Sequence, residues 1–443
     1  MTGRVVILGA SLGALVAAAE LRSRGLAVTV IEKSHSVGGL YNKVETPFGI
    51  QELGMHVVYA DHRHFRHLCA VFGEEVFNVM EGPRVDIGGS ANFGTVSFDS
   101  HYPNLLAHPR RREIIAEMKV AARAEGGSAA NAEVATVDRF GRTAAREIVL
   151  PILEKLWDST ARELTPHALH CFFDLRRLVV CPEEEANRLK DDPALDRIIA
   201  NPVQTRPKGE VFGGRMGLSF RTGSDDLNER VIEWSKSAGV TLRLGATVEL
   251  GEDGILIDGK SLSDGFDACL VSTPVHSLVP GDGGHTDRRE LSVYYFQLEQ
   301  ATARRFPSYY VLAHDTAFRA SRIVNYDGYN QKNADGIPSV IAVESVHPVS
   351  KAPAIDQISS ELEIMFPWIG IADGYALARR VGVFAPTLAN ARVLDGIEDR
   401  VRRPFGDRPV FFTGMRTDTG IFFSHHTIGL AYECALACSR RLS

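Results

Sequence analysis

Gly9, Ser11, Gly13 and Ala14 stand together in Gly9-Ala10-Ser11-Leu12-Gly13-Ala14, and Glu32 follows about twenty residues on. Small residues at this spacing let a backbone turn tightly and bring its amides against a pyrophosphate, and an acid at that distance accepts hydrogen bonds from ribose hydroxyls. Gly9 permits the turn, position 11 is the point of closest approach to phosphate, and position 14 is where helix and strand pack. Serine at position 11 points a Cβ and a hydroxyl toward the phosphate, which keeps open a Rossmann-like scaffold without a cofactor. Other candidates for chemistry are scattered. His56 is of a type that donates to a reactive oxygen or shuttles a proton, or sits satisfied in a core. Arg177 and Arg322 can fork onto an anionic substrate or form structural salt bridges. Arg416, beside Gly414, suits a phosphate, and Trp157 reads as cleft wall or core. His425-His426 precede a helix, which they either cap or direct at a ligand. Tyr326 and Tyr329, just past the Arg322 strand, can supply hydroxyls to a substrate.

The elements that carry these groups are legible. Arg4–Leu8 is an apolar strand, an Ala/Leu-rich helix follows the glycine turn, and a second strand, Ala27–Ile31, ends at Glu32. This is a βαβ unit, and the expected nucleotide domain is discontinuous, spanning 1–90, 208–285 and 405–443. In its second piece Asp225–Ala238 has helical periodicity, with Leu227, Val231 and Trp234 on one face. Strands are predicted over Val240–Leu244, Ala246–Leu250 (with Val248 assigned to the cofactor) and Ala268–Ser272. The third piece reads as a strand at 410–412, a loop at 413–423 and an amphipathic helix over His426–Arg441. Segments 91–207 and 286–404 form a substrate domain. The first is mainly helical; the second opens with strands at Leu291–Leu298, Ser308–Leu312, Arg319–Asn325 and Ser339–Glu344. The acidic stretch Glu183–Asp196, which contains Pro193, reads as a mobile loop or a solvated connector.

With 443 residues the chain accommodates two or three domains, and a formal charge of −6 gives no sign of nucleic-acid affinity. Six scattered cysteines without a C-x-x-C pair fit buried thiols in a cytoplasmic enzyme. A strand within four residues of Met1 leaves no room for a signal peptide, and no run of about 20 apolar residues spans a membrane. His62, His64 and His67 read as a solvated helix face rather than a metal site, and no metal is expected.

The βαβ fingerprint with Glu32-Lys33 and then Val37-Gly38-Gly39-Leu40 resembles the N-terminal signature of the amine oxidase, protoporphyrinogen oxidase and UDP-galactopyranose mutase group of FAD enzymes. That resemblance implies an α/β fold: a discontinuous Rossmann-like FAD-binding domain with a second, mixed α+β substrate domain. Local motifs are most similar to the mutase. Gly49–His56 resembles a stretch lying against the flavin ring, and Glu154–Trp157 one whose Trp borders the substrate. Arg176–Val180 and Ser321–Val324 resemble segments whose arginines reach substrate phosphate. Gly414-Met415-Arg416 resembles a flavin-pyrophosphate contact, and His426-Thr427-Ile428 falls where a helix start meets the flavin pyrimidine end. The mutase's tyrosines are absent: Gly420–Ser424 carries Phe422 and Phe423, and Cys181 stands where a second Arg is expected. An apolar or less charged substrate fits Phe423 better. The implied function is an FAD-dependent oxidoreductase acting on a small or medium-sized metabolite through flavin N5. The alternatives are a reduced-FAD nucleotide-sugar mutase, with an anionic substrate, and a non-catalytic scaffold.

Overall fold

Short runs of aliphatic residues without polar alternation form strands covered on both faces. Runs of this kind at β1 (Arg4–Leu8), β2 (Ala27–Ile31) and β4 (Ala268–Val271) build a parallel sheet with two less covered edge strands, β3 (Thr241–Arg243) and β5 (Val410–Phe412), in the order β3-β2-β1-β4-β5. This is the doubly wound order, whose ligand crevice lies beyond the carboxyl ends of the strands. The computed structural model describes residues 3–41, 43–79, 88–124, 128–204, 216–221, 224–251, 254–262, 265–279, 287–299, 308–326, 339–377 and 381–442. Helix α1 (Leu12–Ser23) starts at the end of β1. Helix α2 (Leu388–Arg402) packs Leu394, Ile397 and Val401 on one face of the sheet, while α3 (Ser424–Leu442) packs against α1 on the other.

A second, eight-stranded sheet runs Ile371–Ala376, Arg288–Leu298, Val340–Pro348, Arg322–Asn325, Tyr310–Ala313, Gly88–Asn92, Thr95–Ser97, with Val381–Phe384 also paired to Arg288–Leu298. Alternation along its longest strand divides two jobs. Tyr294 and Phe296 pack with Ile358 and Leu362 of the covering helix Ile355–Met365, whereas Val293 and Tyr295 face Leu53 and Val57. That second face is a wall of the site. A helical layer, including Arg111–Ala121, Ala132–Phe140 and Leu150–Trp157, closes over it. Lys155 ties this layer to the sheet: its ammonium donates to the carbonyls of Ala313, Asp315 and Ala320 at 2.6, 2.8 and 3.0 Å.

The strands and helices expected from the sequence are present, with ends moved by one to a few residues. Two pairings cross the expected divisions: Gly88–Asn92 joins the large sheet, and α2 packs on the parallel one. The stretch Glu183–Asp196 is neither mobile loop nor bare connector. It forms helices Glu183–Lys190 and Pro193–Asp196, with three glutamates in the first turn, basic residues in the last, and Ala186 and Leu195 buried. The helix His62–Phe72 is not a purely solvated face either. His64 is buried on Tyr432, and His67 contacts Glu20 at 3.0 Å. No helix among the described residues is long and apolar enough to cross a membrane. Tyr329 lies outside the described residues.

Replacing Lys155 with Met keeps the stem but removes the donor from three carbonyls. It should cost about 1–3 kcal/mol, read as a lower denaturant midpoint at unchanged slope.

Candidate functional site

Beyond the carboxyl ends of the parallel strands lies a cleft of about 670 Å³. One end is formed by the starts of α1 and α3 and the turn Gly38-Gly39. The middle is the loop Leu53–Val57 over the large sheet. The far end is the helical layer, with Phe172 and several arginines.

At the first end the backbone is arranged for an anion. Gly9 has φ +97°, and a Cβ there would meet the Thr273 nitrogen at 2.9 Å. Ser11 caps α1: its hydroxyl accepts from the Ala14 N–H (3.2 Å) and pairs with the Ser272 hydroxyl (2.7 Å). Expected to intrude on a phosphate, it is occupied with the helix and the neighbouring strand end. The N–H groups of Leu12 and Gly13 at the start of α1 have no intrahelical acceptor, and both residues line the cleft. Gly13 also lets α1 approach α3, since a Cβ would lie 2.9 Å from the Thr427 carbonyl. The close packing assigned to position 14 is therefore made by Gly13, while Ala14 is core. A narrow groove alongside is lined by Gly9, Glu32, Lys33, Val248 and Thr273. Glu32 holds the turn by accepting from Ala10 and Ser34 N–H, each at 2.8 Å, one per carboxylate oxygen, which leaves lone pairs for hydroxyls. These features fit the pyrophosphate and ribose of a dinucleotide. Leu40 follows in the short turn Gly39–Tyr41.

The middle is organised by a buried ion pair. Arg322 and Glu344 face each other across adjacent strands, with Nε and Nη2 of Arg322 2.8 and 2.6 Å from Glu344 Oε2. Glu344 Oε1 accepts the Met55 N–H at 2.7 Å, and a Cβ on Gly54 would lie 2.4 Å from it, so glycine is required there. From the same sheet, Tyr295 and Tyr326 donate to the Glu52 carbonyl at 2.7 and 2.9 Å, and Tyr326 to Gly54 at 3.1 Å. The loop that presents His56 is thus fastened from below. Burial, helped by the Arg322 charge, pushes the His56 imidazole down to about 3, so it is neutral at ordinary pH. Its Nδ1 has no partner among the described residues, and its ring lies 5.0 Å from Tyr41. The Arg322 guanidinium also sits 4.8 Å over the Phe172 ring.

The structure brings Ser11, Gly13, Gly38, Gly39, His56, Arg177, Arg322, Phe423, Thr427 and Ile428 to the cleft. Others are elsewhere. Trp157 is fully buried in the helical core and walls no cleft. Tyr326 supports the loop from behind. Arg416 is spent on Asp395, Glu398 and Asp418, which engage its Nε and both terminal nitrogens. Three carboxylates take four of its five N–H donors and repel a phosphate. Gly414 packs on the end of β4, where a Cβ would meet the Thr273 oxygen at 2.7 Å. The helix begins at Ser424 rather than His426, and this turns His425 to the cleft in place of His426. Glu344 was missed, although an acid inside Val340–Pro348 is a legible signal, because a buried charge needs a partner. Arg139 and Arg197 also line the cleft and carried no local signal.

A family model described as an NAD(P)-binding Rossmann-like domain matches residues 7–72. No curated protein matches the chain in sequence. Solved structures match it along its length. A reduced UDP-galactopyranose mutase superposes with a TM-score of 0.67 at 13% identity, covering 100% of this chain and 96% of that one. A protein from Exiguobacterium sp. 255-15, provisionally described as a protoporphyrinogen oxidase, gives 0.59 at 13%, covering 100% and 99%. Cyclohexylamine oxidase from Brevibacterium oxydans IH-35A gives 0.57 at 13%, covering 100% of each. The chain therefore has the fold of the FAD-dependent amine oxidase-like group.

Glu344→Gln should cost about 3–5 kcal/mol in chemical unfolding, because it leaves Arg322 buried without its counter-charge. Burial also lowers His170 and His276 to about 4 each. With His56, these groups take up protons in the unfolded chain before the folded one. Stability should fall as pH drops from about 6.5 toward 4, visible as a falling urea midpoint.

Proposed function

We propose that this chain is an FAD-dependent oxidoreductase acting on a small or medium-sized metabolite bound in the cleft. The observation that carries this reading is continuity. One cavity runs from unpaired helix-start amides, past a neutral histidine, to an aromatic and cationic far wall. Leu12 and Gly13 N–H groups would hold the flavin diphosphate, with Glu32 on the ribose and Gly38-Gly39 giving close backbone approach. The start of α3, whose Ser424 and His425 line the cleft, directs its positive end there, where it favours negative charge on a bound group. Bound there, FAD supplies hydride chemistry at N5. The chain's own residues supply shape and dryness. Tyr41, Met55, Phe172, Phe422 and Phe423 exclude water, and His56, kept neutral, offers a hydrogen bond at Nδ1 rather than a charge. Six free cysteines support a cytoplasmic setting.

A mutase-like use of reduced FAD is the second reading, favoured by the arginines at the far end of the cleft. The scaffold reading is weakened by Ser11, whose hydroxyl turns to Ser272 and leaves the helix-start amides open.

The purified protein should be yellow, with the spectrum of oxidised flavin, and an anaerobic substrate should bleach it without added reductant. Colourless protein that takes up no FAD would end both enzymatic readings. Turnover seen only after dithionite reduction, with no net consumption of electrons, would select the mutase.

A further inference from the structure

We propose that His425, His426, His170 and His167 form a proton relay from the cleft to the surface, which carries away the proton that a substrate oxidation releases. The proposal rests on the oxidoreductase reading. Oxidising a carbon that bears an amine or hydroxyl breaks its C–H bond and passes the hydrogen with its electron pair to the oxidised flavin as hydride. A double bond forms to the heteroatom, and the heteroatom's proton must leave the cleft.

The carboxylates and other histidines of the cleft offer it no exit. Glu344 is paired with Arg322, and Asp174 is held by Arg176 at 2.8 and 2.9 Å. His56 is kept uncharged chiefly by burial. His101 leads inward, to the fully buried His314 and to Lys155, whose ammonium is committed to three carbonyls.

His425 leads outward. It lines the cleft, and its ring is stacked on Phe423 at 5.8 Å, which sets its plane. Its centre lies 4.1 Å from that of His426, the next residue of the first turn of α3. His426 faces His170 at 6.2 Å, and His170 faces His167 at 5.5 Å. The last two are three residues apart in the 3₁₀ helix Pro166–His170, whose three-residue turn places them on one side. His167 is exposed, and the other three are half-buried. Gly420 makes room for His170: its φ is +80°, and a Cβ there would collide with the His170 Nε2.

A neutral imidazole holds a proton on one nitrogen and a lone pair on the other, so it accepts at one edge and releases from the opposite one. It need not keep a charge, which burial and the Arg176 guanidinium disfavour on His170. The two wider gaps are of a size that one bridging water spans. The Phe422 N–H is 3.5 Å from His426 Nδ1, too far to lock the tautomer of that ring.

A relay conducts in both directions, so proton entry tests it. In FAD-loaded protein, the bound flavin is reduced by a flash-excited deazaflavin, and proton uptake from weakly buffered solution is followed with phenol red. His170→Phe, which keeps a ring but no nitrogen, should slow uptake roughly tenfold or more. His167→Gln, an exposed change that spares the fold, should slow it in the same direction and decides alone if His170→Phe does not fold. Bleaching of the flavin, which reports the electron, should keep its rate; bleaching slowed as much as uptake indicates a distorted site and overturns the relay. Without flavin, an NMR titration of the imidazole C2 protons should show His170 moving up when His167 is replaced, because a cationic neighbour is removed. An unmoved His170 means that the rings are not neighbours, and it overturns the relay too. Protein that takes up no FAD ends the reading on which the relay rests, whereas yellow protein with unaltered proton uptake ends the relay alone.

Discussion

The Glu344 carboxylate, buried in the middle of a sheet, is the constraint from which the rest of the cleft follows. A lone charge in that position is expensive, so two partners must be held within reach: the Arg322 guanidinium across the strand and the Met55 N–H above. Holding Met55 fixes the loop, the loop fixes His56, and burial, helped by the nearby Arg322 charge, keeps His56 neutral. The same carboxylate excludes a side chain at position 54. Tyr295 and Tyr326 secure the preceding carbonyls from the same face. A floor of side chains on one sheet thus dictates the backbone path of a loop contributed by a different part of the chain.

Local signals made half of this legible. β1 and β2 fall on the predicted residues because an apolar run between a polar start and a glycine turn has few alternatives. Glu32 was readable because spacing from the turn determines its place. What local pattern could not supply was partnership at long range. Arg416 beside a glycine suits a phosphate until α2 brings Asp395 and Glu398 against it. Trp157 is equally plausible as wall or core, and packing of the helical layer decides for core. Starting α3 two residues early exchanges His425 for His426, since each residue rotates a helix by about 100°.

Charge is distributed against the grain of the composition. The molecule is acidic overall, yet the cleft gathers two helix starts and five arginines against two neutralised carboxylates. The helix starts lie at one end and most of the arginines at the other, with a neutral imidazole and aromatic rings between them.

The packing of Gly13 against the Thr427 carbonyl joins residues separated by nearly the whole chain. β1 likewise lies between β2, which is near in sequence, and β4, which is far. A ribosome therefore releases the glycine turn long before the elements that complete its surroundings exist. The early βαβ unit waits with one edge and one helix face uncovered until β4 and α3 have emerged and docked.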